Sequence, residues 1–321
     1  MATKVREYEY TVCTRCFTYN HEAYVRDALN GFVMQETTFP VVYIIMDDAS
    51  TDNTVKLIRE FVEKNFDLDD KSVAYEKDTE QVHILYARHK TNLNCFFVVL
   101  LLKENLYSQR KPKRPYYAGW INNAKYHAIC EGDDCWTDPQ KLQLQVDFLE
   151  NHSEYSMCFH AVEDVSPDGC KQLNSRYGRD TENCPIEDFF KLGGRYAPTC
   201  SLVYRGALLE PRPSFFEKTA VGDSPLILTM FLRGKVWFSS RVMGRYRVNV
   251  PGSWSQRQKH LSFNQIIMKF KNGREYWDSV DEFTQGKYSK KIRQRKRHTW
   301  LTLGKSFTLF VINKFVGLQK K

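Results

Sequence analysis

The first 65 residues alternate between two hydrophobic periodicities. Residues 9–17 alternate in the manner of a strand, and residues 41–46 form a nearly continuous apolar run, typical of a strand buried on both faces. Helical spacing follows each of them, carried first by Val25, Ala28, Leu29, Phe32 and Val33 and then by Val55, Ile58 and Val62. This strand–helix–strand–helix order predicts an α/β fold with a Rossmann-like, mostly parallel sheet flanked by helices.

The rest of the chain continues this alternation less regularly. We predict a strand at 82–86, a helix at 95–102, a strand at 124–130, a helix at 139–151, a strand at 155–162, a helix near 186–192, a strand at 199–204, a helix at 224–233 and strands around 235–248. Residues 103–123 are interpreted as an insertion, because the two prolines of its basic stretch 110–115 will not continue a helix. From residue 264 onward the pattern is mostly helical.

Length and composition indicate a folded protein. The 321 residues are 42% hydrophobic and 14% aromatic, enough for one large core or two small ones. No run of 18 uncharged apolar residues and no apolar N-terminal stretch is present, so we expect a cytoplasmic chain without a membrane span or signal peptide. The nine cysteines are expected to be free thiols. Cys13 and Cys16 have metal or redox spacing, but within a strand they point to opposite faces.

Positive charge is concentrated at the C-terminal end. The formal net charge is +9, with +12 in residues 257–321 and −3 in residues 1–256. We therefore predict two domains, a catalytic body at 1–256 and a basic helical extension at 257–321. The polybasic run 290–297, followed by the amphipathic stretch 300–318, predicts a helix lying on an anionic membrane surface. The alternative is a helix that docks on the body or on another subunit.

Two acidic pairs carry the candidate chemistry. Asp47–Asp48 and Asp133–Asp134 each follow a predicted buried strand, and ligands of open parallel sheets bind beyond the carboxyl ends of the strands. Adjacent carboxylates repel each other unless a cation or donor is present. Few, hard oxygen ligands suit Mg²⁺ or Mn²⁺ carrying a bound diphosphate. The alternative is that such pairs cap helices or lie in solvent.

An ordered set of short segments gives the chain a family resemblance. The segments are Tyr19–Asn20, Met46–Asp52, Glu131–Pro139, Lys141–Leu142, Gln145–Leu149, Pro198–Ser201, Gly222–Pro225, Tyr246–Arg247 and Gly252–Ser255. In this order they resemble the signature of family 2 inverting glycosyltransferases with a GT-A fold. The resemblance covers roughly residues 8–256. Each segment alone is weakly specific, and the ordered set is strongly so.

The resemblance implies a nucleotide-sugar site. Asp48 is expected to bind the base, while Phe17 and Tyr19 border the base and ribose. Asp133 is expected to approach the ribose or the sugar, and Asp134 to ligate the metal that bridges the diphosphate. A UDP-sugar is the expected donor because UDP is common in the family.

The resemblance also implies a catalytic base and an acceptor side. Asp223 is expected to deprotonate the acceptor hydroxyl; the alternative is a helix N-cap before Pro225, and one carboxylate can fill both roles. Trp136 and Trp254 are candidates for the acceptor or sugar side, with a core role the alternative for Trp136. Arg247 either pairs with phosphate or forms a salt bridge with Asp48 or Asp223.

Departures from the family pattern affect the metal site and the surrounding loops. Many relatives carry His where this chain has Asn249, which bears on metal affinity, and Asn94 stands where relatives often have glycine. The insertion 103–123 has no counterpart in the family.

The predicted function is transfer of a sugar from a nucleotide-sugar to a saccharide or lipid-linked glycan. An alternative enzyme is a sugar-nucleotide pyrophosphorylase, but that class needs a Gly-rich basic loop after the first strand, where this chain has residues 18–21, Thr-Tyr-Asn-His. A nucleic-acid-binding protein is the non-enzymatic alternative. Its basic residues should interleave with aromatics over a folded surface, whereas here they collect in one tail, so no nucleic-acid partner is expected.

Overall fold

A computed structural model describes residues 7–219, 222–250, 256 and 261–299. Contacts divide the chain into two compact units. The first unit contains the chain up to Cys184 together with Ala197–Leu209 and Arg233–Val250; the second contains Pro185–Tyr196, Glu210–Leu232 and the described residues beyond 250. These units interleave along the chain, and the predicted domains 1–256 and 257–321 stay a prediction.

One mixed sheet of twelve strands forms the first unit within the described residues. Its strands are β1 (Tyr10–Thr18), β2 (Val41–Asp47), β3 (Phe66–Asp67), β4 (Tyr75–Asp78), β5 (Val82–His89), β6 (Cys95–Leu102), β7 (Ala124–Ile129), β8 (Cys135–Trp136), β9 (Tyr155–Val165), β10 (Lys171–Asn174), β11 (Val203–Arg205) and β12 (Lys235–Arg247). Their spatial order is β3-β5-β6-β2-β1-β7-β11-β9-β12-β8, with β4 beside β5 and β10 beside β9.

Parallel pairing is confined to two parts of this sheet. β6, β2, β1 and β7 are parallel neighbours, and β9 pairs parallel with β12. The pairs β5–β6, β7–β11 and β9–β11 are antiparallel. The sheet is therefore mixed around a parallel centre, and the predicted α/β fold with a sheet flanked by helices is confirmed. The parallel centre keeps the carboxyl ends of β2, β1 and β7 at one edge.

The helices begin and end close to the predicted positions. They are α1 (Val25–Val33), α2 (Thr54–Asn65), α3 (Arg114–Asn122), α4 (Lys141–Asn151), α5 (Ile186–Leu192), α6 (Asp223–Arg233) and α7 (Phe263–Phe283). Separate apolar clusters cover the two faces of the sheet, and Cys16 belongs to one while Cys13 belongs to the other. The predicted opposite orientation of these two thiols is confirmed, and all nine cysteines are free.

Two element predictions between residues 95 and 123 were wrong. Cys95–Leu102 is a strand rather than a helix, paired parallel with β2 and antiparallel with β5. Its almost uninterrupted apolar run has no period, so it fits a strand buried on both faces. The insertion contains α3, and Pro115 occupies the first turn of this helix, where the missing N–H costs nothing.

The second unit is held together by aromatic rings and helices. Phe189, Phe190, Tyr276 and Trp277 are buried, and Trp277 packs against both phenylalanines. α7 begins at a capping box formed by Ser262 and Gln265, and a second helical stretch runs over 289–299. None of the helices in the described ranges is long and apolar enough to span a bilayer. The predicted amphipathic stretch 300–318 lies outside the described residues.

Candidate functional site

Both acidic pairs lie at the edge where β2, β1 and β7 end. Asp48 N donates to the Thr18 carbonyl at 3.0 Å, and Gly132 N donates to the Phe17 carbonyl at 3.0 Å, so backbone bonds tie the three strand ends together. Gly132 has no alternative here, because a Cβ at this position would lie 2.5 Å from Thr18 Cγ2. The two acidic pairs therefore lie at the same edge of the sheet.

Asp134 is a buried carboxylate beside a second carboxylate. Its side chain is almost fully enclosed, and its Oδ1 accepts a hydrogen bond from Arg247 N at 2.9 Å. Burial raises the pKa of Asp134 well above its usual value, and the neighbouring charges of Asp133 and Glu131 raise it further. The fold therefore places the Asp134 charge where a cation would be strongly favoured.

Arg247 holds the acidic turn in place without pairing with the predicted partners. Its Nη1 donates to the Asp133 carbonyl at 2.8 Å, and its Nη2 contacts Asp27 on α1. The guanidinium also lies over the Tyr24 ring, 4.9 Å from the centroid. The salt bridge to Asp48 or Asp223 was wrong, since the acidic partner of Arg247 is Asp27.

Two further titratable side chains line this turn, and neither was singled out from the sequence. Glu131 Oε2 accepts from Phe17 N at 2.9 Å, and burial raises the pKa of Glu131 to about 7. The Nδ1 of His21 is buried without a hydrogen-bond partner among the described residues, and burial lowers the His21 pKa against the opposing charges of Asp133 and Asp47. Glu131 could have been recognised, because it opens the acidic segment of the family signature.

The two carboxylates of the first acidic pair have different surroundings. Asp47 closes a turn, since it accepts from Thr18 Oγ1 at 2.8 Å, from Ser50 N at 2.8 Å and from Ser50 Oγ at 2.5 Å. The chain then passes through Ala49 in the left-handed region, at φ 61°. Asp47 is therefore structural, but it does not cap α2, which begins at Thr54 with Asn53 at its N-cap.

Asp48 is held by the insertion. Its Oδ1 accepts from Leu106 N at 2.8 Å, its Oδ2 accepts from Tyr107 N at 3.1 Å, and Lys113 Nζ lies 2.9 Å from Oδ2. Asn105 Nδ2 donates to the Asp48 carbonyl at 3.0 Å. The insertion, which had no predicted role, thus packs on the residue expected to bind the base.

Phe17 and Tyr19 lie on either side of the end of β1. Phe17 is half-buried, with its ring centroid 5.8 Å from that of Tyr117 and 5.1 Å from Lys113 Nζ. Tyr19 is 42% exposed, and the next residue, Asn20, is left-handed at φ 55°. Both aromatic rings are placed at the strand edge where the nucleotide is expected.

Two tryptophans, Trp136 and Trp254, were predicted on the acceptor side, and the structure describes only the first of them. Trp136 is 2% exposed, and its Nε1 donates to the Cys200 carbonyl at 2.7 Å. Phe32 packs on the indole at 5.2 Å between ring centroids, and Lys141 Nζ lies 4.0 Å from it. A sugar contact for Trp136 is therefore contradicted, and the alternative of a core tryptophan holds. Trp254 lies outside the described residues.

Asp223 begins α6 in the second unit. Its Oδ1 accepts from Ser224 N at 2.6 Å, and burial raises its pKa. Gly194 lies beside it, because a Cβ on Gly194 would be 3.3 Å from Asp223 Oδ2. A carboxylate with a raised pKa is a stronger proton acceptor than an ordinary one, so the local surroundings of Asp223 are compatible with a base.

The acidic turn can hold a divalent cation only if water or substrate phosphates supply further oxygen ligands. No group of three potential protein ligands occurs in the described part of the chain, and Asn249, where relatives often have His, is left-handed at φ 59°. Mg²⁺ is commonly held by one or two carboxylates together with water and substrate phosphates. The buried Asp134 carboxylate meets that requirement, because a cation would relieve the repulsion that raises its pKa.

Comparisons of the sequence with known proteins match one family. The model of "Glycosyl transferase family 2" matches residues 17–91. Uncharacterized proteins of Mycobacterium bovis and of Mycobacterium tuberculosis (Rv1520) are each 30% identical over 242 residues, which is 74% of this chain. The chain spans 58% of the length of these relatives.

Solved structures with the same fold are more distant in sequence. S. aureus TarS 1-349 in complex with UDP-GlcNAc has a TM-score of 0.55 at 16% identity, covering 84% of this chain and 66% of that one. The mannosyltransferase PcManGT from Pyrobaculum calidifontis, in complex with GDP-Man and Mn²⁺, has a TM-score of 0.51 at 12% identity, covering 98% and 81%. At these identities the comparison shows that the folds are alike and no more.

Proposed function

This chain belongs to glycosyl transferase family 2 and has the GT-A fold, and on that premise we propose that it is an inverting glycosyltransferase. It moves a sugar from a nucleotide-sugar, with UDP-sugar as the donor, to a hydroxyl of a saccharide or lipid-linked glycan. The observation that carries the proposal is the buried Asp134 carboxylate beside Asp133, one strand away from the end of β1 and two from Asp48.

The donor is assigned to the edge formed by β2, β1 and β7. Asp48 binds the base, Phe17 and Tyr19 border the base and ribose, and Asp133 faces the ribose or sugar. The two solved structures with this fold hold UDP-GlcNAc and GDP-Man, which supports a nucleotide-sugar ligand for the fold. The positions of Phe17 and Asp48 at adjacent strand ends support the assignment.

Asp134 is the proposed ligand of Mn²⁺ or Mg²⁺. When bound, the cation supplies charge neutralisation for the nucleoside diphosphate that leaves. The chain itself keeps Asp134 in place through Arg247 N and keeps bulk water away by enclosing the carboxylate. The Mn²⁺ in the Pyrobaculum enzyme supports a divalent cation for this fold.

Asp223 is the proposed general base. The acceptor hydroxyl oxygen attacks the anomeric carbon from the face opposite the diphosphate, and its proton passes to the Asp223 carboxylate as the bond to the diphosphate breaks. This displacement inverts the anomeric centre. Burial, which raises the Asp223 pKa, makes the carboxylate a better proton acceptor, and its bond from Ser224 N fixes its orientation.

A panel of nucleotide-sugars tests this function. Hydrolysis and transfer are measured with Mn²⁺ and with chelator, on wild-type protein, on Asp134→Ala and on Asp70→Ala, an exposed loop residue that serves as a matched control. We expect turnover of at least one donor, a loss of about a thousandfold or more in Asp134→Ala, and no change in Asp70→Ala. Metal-independent turnover, or a fully active Asp134→Ala, would contradict the mechanism.

A basic cavity in the second unit supports peripheral association with the cytoplasmic face of a membrane. The cavity has a volume of about 610 Å³ and is lined by Arg274, Lys290, Arg293, Gln294, Lys296 and Arg297. Five of these six side chains are cationic, and Asp278 contacts Lys296. Such a cluster attracts the phosphates of anionic lipid headgroups, by about 1 kcal/mol for each basic residue near the surface.

Vesicle binding tests this association. Sedimentation with phosphatidylglycerol-containing vesicles is compared for wild type, Arg293→Glu/Arg297→Glu and the control Lys64→Glu/Lys71→Glu, which makes the same charge change on exposed residues of the first unit. We expect the cavity variant alone to lose binding, and added salt to weaken wild-type binding. Equal binding by all three proteins would contradict a role for the cavity.

A further inference from the structure

The carboxylate proposed to bind the base already accepts three donors from the insertion. A carboxylate offers about four lone-pair positions, two on each oxygen. Leu106 N uses one position on Oδ1, while Tyr107 N and Lys113 Nζ use both positions on Oδ2. By this count the insertion leaves one acceptor position of Asp48 unused, on Oδ1.

Lys113 lies between the two side chains assigned to the base. Its ammonium is 2.9 Å from Asp48 Oδ2 and 5.1 Å from the centroid of the Phe17 ring. The Tyr107 ring centroid is 6.0 Å from the same ammonium. An ammonium has three N–H donors, so the one bonded to Asp48 leaves two for other acceptors. The Lys113 side chain is half-buried, with 18% of its surface exposed.

We propose that Lys113 determines which base this site accepts and that it selects uracil over guanine. The inference rests on the proposed function, since it takes the ligand at Asp48 to be a nucleotide. The Asp48–Lys113 pair presents one acceptor beside one donor. Uracil has a matching edge, because its ring N–H can donate to Asp48 Oδ1 while an adjacent carbonyl oxygen accepts from Lys113 Nζ.

Guanine does not match this arrangement. Its edge carries two neighbouring donors, the ring N–H and the exocyclic amine, which together require both oxygens of a carboxylate. Oδ2 of Asp48 is covered by Tyr107 N and Lys113 Nζ, so the second donor would be left without an acceptor. A buried donor left unpaired is strongly disfavoured, which is how a polar site rejects a near-isosteric ligand. Cytosine would place an unprotonated ring nitrogen against the carboxylate and is rejected by repulsion.

Calorimetric titration of UDP and GDP, both with Mn²⁺, tests the role of Lys113. Wild type is expected to bind UDP at least about tenfold more tightly than GDP. Lys113→Met removes the donor and its contact with Oδ2 of Asp48. The affinity for UDP should therefore fall and the affinity for GDP should rise. The ratio of the two affinities should fall by about tenfold or more. Lys113→Arg restores a donor and should keep UDP preferred. Lys111→Met is the matched control, because Lys111 lies in the same segment but faces Glu104, at 3.7 Å.

The outcomes separate this inference from the proposed function. Wild type that binds neither nucleotide overturns the proposed function and the inference with it. Wild type that prefers GDP, or Lys113→Met with an unchanged preference, overturns the inference alone. Thermal unfolding of each variant confirms that it is folded, and a loss of preference in Lys111→Met as large as in Lys113→Met also overturns the assignment to Lys113.

Discussion

Asp48 directly follows β2 and Asp134 lies in the turn after β7, at the same edge of the sheet, yet their charges are balanced in opposite ways. Asp48 accepts two backbone N–H groups and contacts the ammonium of Lys113. Asp134 accepts one backbone N–H, from Arg247, and lies beside the charges of Asp133 and Glu131, which raise its pKa. Both side chains are almost fully buried.

The difference shows what each strand end lacks. At Asp48 the chain supplies its own cation, so a ligand there has to match the remaining hydrogen-bonding positions. At Asp134 the chain supplies too little positive charge, so a metal would relieve the repulsion. A buried carboxylate without a cation beside it favours binding of one, whereas a carboxylate that already has a cation and keeps one acceptor position favours recognition of a ligand by its hydrogen-bonding pattern.

A third carboxylate, Asp223, sharpens the comparison, because its substitution should act on catalysis and not on stability. Asp223→Asn keeps the side-chain size and an oxygen that can accept from Ser224 N in the first turn of α6, and it removes the proton acceptor. We expect kcat to fall about a hundredfold or more with little change in Tm, measured in the donor assay and by thermal unfolding. A kcat within a few-fold of wild type would assign Asp223 to capping alone.

Removing the Asp48 charge should destabilise the protein. Asp48→Asn leaves the half-buried Lys113 ammonium without its counter-charge, and we expect a loss of about 3 kcal/mol in the free energy of unfolding. Urea denaturation measures it. The double variant Asp48→Asn/Lys113→Met should recover part of the loss, because the unpaired charge is then absent. Equal stability of wild type and Asp48→Asn would contradict the balance described for this strand end.

Removing the Asp134 charge should instead stabilise the metal-free protein. Because burial and the Asp133 charge disfavour the ionised form, Asp134→Asn should raise the Tm of the metal-free protein by a few degrees at neutral pH. Thermal unfolding with chelator present measures the change, and Asp70→Asn is the exposed control. A lower Tm for Asp134→Asn would remove the contrast between the two carboxylates.

The smallest expected effect is a dependence of the protein's stability on pH, caused by the ionisation of Glu131. Burial raises its pKa from 4.5 to about 7, so the folded protein binds this proton more tightly than the unfolded chain. The stability from this group is complete below about pH 4.5 and declines as the pH rises to about 7. In Glu131→Gln the decline in Tm over this window should be shallower than in wild type. Parallel profiles for the two proteins would show that Glu131 does not titrate there.

The parallel centre of the fold and the position of the acidic pairs could be predicted from sequence. Residues 41–46 form an apolar run that ends at Asp47 and Asp48, so the strand and its edge follow from one pattern. The same kind of run at Cys95–Leu102 does not distinguish a strand from a helix, because an unbroken apolar segment carries no period and only its valines and phenylalanines favour a strand.

Partners distant in the chain could not be predicted. Leu106, Tyr107 and Lys113 lie more than 50 positions beyond Asp48, and no local pattern marks them as its donors. Trp136 follows the acidic pair in sequence, yet strand β8 turns its ring into the core beneath α1. A one-residue step along a strand reverses the side-chain direction, so proximity in sequence to a ligand is weak evidence for contact with it.

UDP titration with and without Mn²⁺, on wild type and Asp134→Asn, tests the central claim most directly. The claim is that the end of β7 needs a cation that the chain does not supply. Mn²⁺ should tighten UDP binding to the wild type about tenfold or more and leave binding to Asp134→Asn unchanged. An equal Mn²⁺ effect on both proteins, or none on the wild type, would contradict the claim.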